Sequence, residues 1–166
     1  ITPRFAISCS TEQLIAAGRL HDQYPGTYIQ THLSENKDEI DSTLSLCPDC
    51  QDYLEVYERA RLVTDRSIFG HCIHLSDSEC RRLVEAGSVV AHCPTSNLFL
   101  GSGLFDMQQA NRVGMQTVLA TDVGAGTSFS LLRTMGEAYK VQQLNGYPVS
   151  VFESLYKCTL GAAKAL

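Results

Sequence analysis

Five histidines, eighteen acidic side chains and seven cysteines are the groups in this sequence with chemistry to offer. Four of them stand at the ends of short apolar runs. His32 closes Thr27-Tyr28-Ile29-Gln30-Thr31, His71 closes Ser67-Ile68-Phe69-Gly70, and His92 closes Ser88-Val89-Val90-Ala91. Asp122 follows Gln116-Thr117-Val118-Leu119-Ala120-Thr121. Imidazole is a borderline ligand suited to zinc. Glu35, three residues after His32, has the chemistry of a proton shuttle beside a metal-activated water. The competing reading of that pair is a strand-end imidazole and an acid placed on a helix dipole. A carboxylate buried at a strand end needs a cation or several donors. Asp122 therefore reads as a ligand that also takes a proton, or as a cap on the glycine-rich turn after it. His74, just before Ser76, reads as structural. His92 either orients a ligand from behind or bonds a neighbouring loop.

The cysteines stand at 9, 47, 50, 72, 80, 93 and 158, an odd set that does not suit a secreted disulfide scaffold. They read as reduced thiols in a cytoplasmic protein. Cys47-Pro48-Asp49-Cys50 lacks the second pair that a structural zinc site requires and reads as an incidental loop pair. Gly124-Ala125-Gly126-Thr127-Ser128-Phe129 fits neither the dinucleotide nor the P-loop pattern. There is no HExxH, no GxSxG, and no HxE with PCxxC of the cytidine deaminase type.

The elements that must position these groups alternate between short strands and helices. Arg4–Ser8, Thr27–His32, Ser67–His71, Ser88–His92 and Gln116–Thr121 read as five strands. Helices are expected at Thr11–Tyr24, Lys37–Leu46, Tyr53–Arg61, from Ser76 through Ala86, at Phe105–Arg112, Ser130–Gln143 and Val151–Leu166. Capping boxes mark three of them, with Ser10 and Gln13, Ser76 and Glu79, Ser150 and Glu153. Pro94–Gly103 reads as a loop. Alternation of this kind means βα units on a parallel sheet. An open doubly wound sheet gathers its site at one switch point, whereas a (β/α)8 barrel builds it from many strand ends on one rim. Polar groups ending four strands favour the barrel. A full barrel takes about 250 residues and this chain has 166, so the fold class is α/β, a partial (β/α)8 barrel of about strands 4 to 8 with outer helices.

A net charge of −5 with scattered basic residues gives no nucleic-acid footprint. No apolar run approaches the ~20 residues that span a bilayer. The start, Ile1-Thr2-Pro3-Arg4, is neither a signal peptide nor a Met start.

Taken in order, Thr2-Pro3-Arg4-Phe5-Ala6, Thr31-His32-Leu33-Ser34-Glu35-Asn36, Gly70-His71, His92-Cys93-Pro94-Thr95-Ser96-Asn97 and Thr121-Asp122-Val123-Gly124 resemble the guanine deaminases of the amidohydrolase superfamily. The resemblance covers essentially the whole chain. It implies one zinc, with His32 and Asp122 as ligands and two further His ligands from an HxH strand that is absent here. It implies Glu35 as proton shuttle, His71 orienting the attacking oxygen, Arg4 reading the guanine carbonyl and Phe5 lining the ring pocket. On this reading residues 1–166 are the C-terminal portion of a metal-dependent hydrolase barrel, without the N-terminal strands and the flanking β-sandwich, and inactive alone. A half barrel leaves open edges, so completion by the missing half or by a second copy is expected, in the simplest case a homodimer. The alternatives are a related amidohydrolase acting on another amino- or chloro-heterocycle, and an inactive fragment or interaction module.

Overall fold

Four parallel strands lie side by side in the order in which the chain makes them: β1 (Ile29–Leu33), β2 (Ser67–His71), β3 (Val89–His92) and β4 (Gln116–Leu119). The computed structural model describes residues 1–166. Leu33 pairs with His71 and His92 with Leu119, which aligns the strand ends on one rim. Before β1 runs α1 (Thr11–Gln23). Between β1 and β2 come α2 (Lys37–Leu46) and α3 (Tyr53–Arg59), and between β2 and β3 comes α4 (Asp77–Glu85). The last crossover carries α5 (Pro94–Leu100) and α6 (Met107–Arg112); α7 (Leu131–Leu144), α8 (Val151–Cys158) and α9 (Leu160–Lys164) follow β4. A strand order without reversal has no switch point, so the doubly wound alternative falls. What remains is an arc of a barrel with its helices outside.

The period of two along each strand sorts the faces. Ile29, Thr31, Leu33, Phe69, Val90 and Leu119 are buried, and the apolar ones share one core with Leu14, Leu54, Tyr57, Leu83 and Met107 of the helices. The concave face carries Gln30, His32, Ile68, Val89, Ala91 and Val118. Part of it is covered by Ala162 of α9 and by Ala165. A cavity of about 330 Å³ opens there, and His32, His71 and Asp122 are in its wall. No helix is long and apolar enough to cross a membrane.

Local chemistry explains the boundaries, including those that differ from expectation. Both arms of the capping box form at Ser10 with Gln13 and at Ser76 with Glu79. At Ser150 only one arm forms, because the Glu153 carboxylate accepts from Asn111 instead. Arg4–Ser8 is not a strand. Ala6–Ser8 makes a 3-10 turn, closed by the Ser8 amide on Phe5 O, while the Ala6 amide donates to the Tyr57 hydroxyl at 3.0 Å. The segment running beside β1 is Ile1–Arg4, whose Ile1 and Arg4 carbonyls accept from the Gln30 and His32 amides. Pro94–Gly103 is not a loop throughout, since Pro94 starts α5 at a position where a missing N–H costs nothing. The expected last helix is two, broken at Thr159. β4 stops at Leu119, two residues early, so Asp122 sits in the turn beyond the strand.

Candidate active site

At the end of β1 the chain turns sharply. Ser34 adopts a left-handed backbone (φ 49°), and its carbonyl accepts from the amides of Ile73 and His74. That turn lifts Glu35 to the rim and starts α2, where Asn36 and Glu39 form a capping box. Glu39 is buried and accepts from the Glu35 amide at 2.9 Å and from the Tyr53 hydroxyl at 2.8 Å. Tyr57, one turn further along α3, donates to the His32 carbonyl at 2.8 Å. Burial holds both phenols neutral, the Tyr57 hydroxyl being pushed up to about 12. Strand end and helix start are thus fastened from below by two tyrosines.

The His32 ring is oriented by backbone. Its Nδ1 lies 2.7 Å from the Arg4 carbonyl oxygen. A carbonyl only accepts, so Nδ1 carries the proton and Nε2 keeps its lone pair. His71 is arranged alike: its Nδ1 lies 2.8 Å from Asn97 Oδ1, which turns its Nε2 toward the rim. There His71 Nε2 meets two carboxylates, Glu35 Oε2 at 3.7 Å and Asp122 Oδ2 at 4.0 Å. The two imidazoles stack with centroids 5.1 Å apart. His71 and Cys72 (φ 70° and 52°) and Asp122 (φ 46°) are left-handed like Ser34. Non-glycine residues held there carry about 1–3 kcal/mol of strain each. Behind Asp122 the turn needs Gly126, where a Cβ would stand 1.8 Å from the Thr121 carbonyl oxygen.

Four of the residues singled out from the sequence, His32, Glu35, His71 and Asp122, therefore meet at one rim. Arg4 and Phe5 lie beside them, with the Phe5 ring 5.7 Å from that of His32 and the Arg4 guanidinium over the Phe5 ring at 4.9 Å. His74 turns away, its Nε2 2.8 Å from the Ser102 carbonyl. Cys47 and Cys50 stand apart, beside Leu14 and Arg59 in a surface cleft of about 240 Å³. Two contacting residues went unassigned in the sequence. Asn97 sits on α5 behind His71, and Ser102 donates to Glu35 Oε1 at 3.0 Å. The burial of Asn97 in a segment taken for loop is the feature that marks it.

A preset histidine Nε2 and a rim carboxylate are the donor types that bind zinc and similar divalent ions. His32 and Asp122 fit such an ion in kind. No three His, Cys, Asp or Glu side chains of this chain close around a common point, so they would form part of a ligand set.

His92 faces the helices, not the rim. Its ring is fully buried against Phe105 (centroids 4.7 Å), and neither nitrogen has a partner. Burial, with His71 and Lys157 adding to it, pushes its pKa down to about 3. A folded-state value below the unfolded ~6.5 means the unfolded chain binds the proton first. The stability that neutral His92 confers is complete above pH 6.5 and is lost as pH falls from there toward 3. His92→Phe is expected to remove about 2 kcal/mol of the loss between pH 7 and 4.5. Urea unfolding at both pH values checks it; a variant that loses stability in parallel with the parent assigns the slope elsewhere.

The amidohydrolase family profile matches residues 1–166. Guanine deaminase of Escherichia coli K12 is 51% identical over 166 residues, which is 100% of this chain and 38% of that protein. The solved E. coli guanine deaminase superposes with a TM-score of 0.97 at 50% identity, covering 99% of this chain and 38% of that one. Guanine deaminase from C. acetobutylicum with guanine bound in the active site superposes at 0.94 with 33% identity, covering 98% and 41%. The chain thus spans well under half the length of these relatives.

Proposed function

The chain belongs to the amidohydrolase family, and on that premise we propose that the protein it forms hydrolyses guanine to xanthine and ammonia. One observation carries the proposal: Glu35 and Asp122 flank the free Nε2 of His71 at a rim shared with His32. The guanine-bound relative supports the choice of substrate.

Each residue then has a task. Arg4 and Phe5 hold the purine, the guanidinium donating to its carbonyl and the ring covering its face. Water adds to the carbon that bears the exocyclic amine. Glu35 Oε2 takes a proton from that water and returns it to the adjacent ring nitrogen, so the added oxygen is balanced by a protonated ring. A second transfer through Glu35 moves the remaining proton of the added hydroxyl to the amine, which leaves as ammonia as the carbon–oxygen bond becomes the new carbonyl. His71 Nε2, preset by Asn97, directs the attacking oxygen. His32 Nε2 and Asp122 would hold a zinc ion, with two further ligands from outside residues 1–166, and bound there it supplies the Lewis acidity that makes water a nucleophile at neutral pH. The adenosine deaminase from Xanthomonas campestris with bound zinc, which superposes at a TM-score of 0.91 with 25% identity, supports the metal.

On the same reading, residues 1–166 are the C-terminal portion of the catalytic barrel, the cytoplasm is the compartment and a homodimer is the assembly. Seven unpaired thiols support the compartment. Phe129, Leu132 and Phe152, strongly exposed around α7 and α8, support a covered face.

A substrate panel tests the proposal. The zinc-loaded protein is expected to convert guanine at least about 10²-fold better than adenosine or an aminotriazine, because a site built to bond the carbonyl rejects rings that lack it. Preference for a triazine would replace guanine deamination with the related heterocycle activity. Stoichiometric zinc with no turnover of any ring would overturn both.

A further inference from the structure

The segment after α5 is fixed by contacts that local folding does not need. Gly101 ends the helix in a left-handed conformation (φ 68°), and the Ser102 amide closes back on the Asn97 carbonyl at 2.9 Å. The Ser102 carbonyl is held by His74 Nε2 at 2.8 Å, across from the loop that follows β2. Gly103 (φ 135°) lies flat on the same loop, where a Cβ would stand 3.0 Å from Ile73 Cγ2 and 3.2 Å from His74 Cε1. With both backbone groups of Ser102 satisfied, its hydroxyl has no capping duty left. That hydroxyl spans 67 positions of sequence to donate to Glu35 Oε1 at 3.0 Å. The other carboxylate oxygen, Oε2, is the one that faces His71.

We propose that Ser102 is a positioning residue for Glu35, holding Oε1 so that Oε2 is presented to His71 and the attacking water, with His74 anchoring Ser102 in turn. The proposal rests on the reading of Glu35 as proton shuttle. A glutamate has three side-chain torsions, and a hydrogen bond to one carboxylate oxygen restrains the last of them. The plain alternative is a loop serine filling space beside an acid. The two differ in what must be kept: positioning needs the hydroxyl, filling needs the volume.

Steady-state kinetics of the zinc-loaded protein separate them, measured on whichever ring of the panel turns over fastest, so that failure of guanine as substrate does not leave Ser102 untested. Ser102→Ala is expected to lower kcat about 10–100-fold, the worth of a hydrogen bond to a charged group, with KM changed less than about threefold. Ser102→Thr is expected to recover most of that loss and its isostere Ser102→Val none of it. In a Glu35→Gln background, Ser102→Ala should add less than about twofold, because coupled residues fail to add. Zinc content should stay constant across the set. A cycle of Ser102→Ala with Glu35→Ala on the urea midpoint, which needs no substrate, should also be non-additive. Equal loss in the Thr and Val variants, or a full Ser102→Ala effect without the Glu35 carboxylate, would overturn the role while leaving the reaction itself standing.

Discussion

Glu35→Gln is expected to lower turnover by about 10²–10⁴-fold, the span of a lost general acid–base group, and to leave metal content at the level of the parent protein. The geometry makes the substitution unusually clean. Glutamine is isosteric, and its amide oxygen accepts from Ser102 as Oε1 does now. The Glu35 amide stays fastened to Glu39, so the start of α2 has no reason to move. What disappears is the ability of the rim position at 3.7 Å from His71 Nε2 to take up a proton and give it back. On the proposed mechanism ring addition and amine departure each need that exchange, so the loss is expected to fall on kcat more than on KM. Full activity in the variant would remove Glu35 from the mechanism and pass its task to Asp122, which stands 4.0 Å from the same nitrogen.

His32→Ala is expected to differ in its metal content. Turnover should fall to background and bound metal should fall with it. Asp122→Ala should do the same. For His32 the argument starts at the Arg4 carbonyl, which fixes the proton on Nδ1 and so commits Nε2 to a lone pair before any ion arrives. Removing the ring removes a ligand. Losing even a supporting contact to such a ligand costs about 10–100-fold in affinity, so losing the ligand itself costs more. Metal analysis after dialysis, alongside turnover, reads both effects. Retention of stoichiometric metal by His32→Ala would take His32 out of the ligand set. Measured together, the Gln and Ala variants divide the rim into a group that moves protons and groups that hold an ion.

Much of this rim was legible along the chain because strand ends are local. A polar residue closing an apolar run at His32 and His71 needed no knowledge of distant parts, and parallel alternation sets both on one edge. The same is true of helices started by Ser10 and Ser76, whose two-armed caps involve residues three apart. Arg4–Ser8 misled because its alternation resembles a strand, while the bonds that decide its shape come from Tyr57, 51 residues away. Pro94 was a helix start in plain view, outweighed by the serine, asparagine and glycine around it. Asn97 and Ser102 lay beyond local reading altogether, since their partners are 26 and 67 residues distant. His92 occupies a strand end as His71 does, yet turns to the opposite side of the sheet and stacks on Phe105. Composition does not distinguish the two.

The left-handed residues at 34, 71, 72 and 122 bear on how this protein responds to selection. Each is a place where glycine would relieve the backbone, and all four border the reacting groups or are among them. Ser34, His71 and Cys72 are buried, so glycine there would empty packed space; at the half-exposed Asp122 a library sorted only for heat tolerance is expected to accept glycine and lose the rim carboxylate. Laboratory evolution of this scaffold therefore has to screen for product at every round, because here robustness and catalysis draw on the same few torsions.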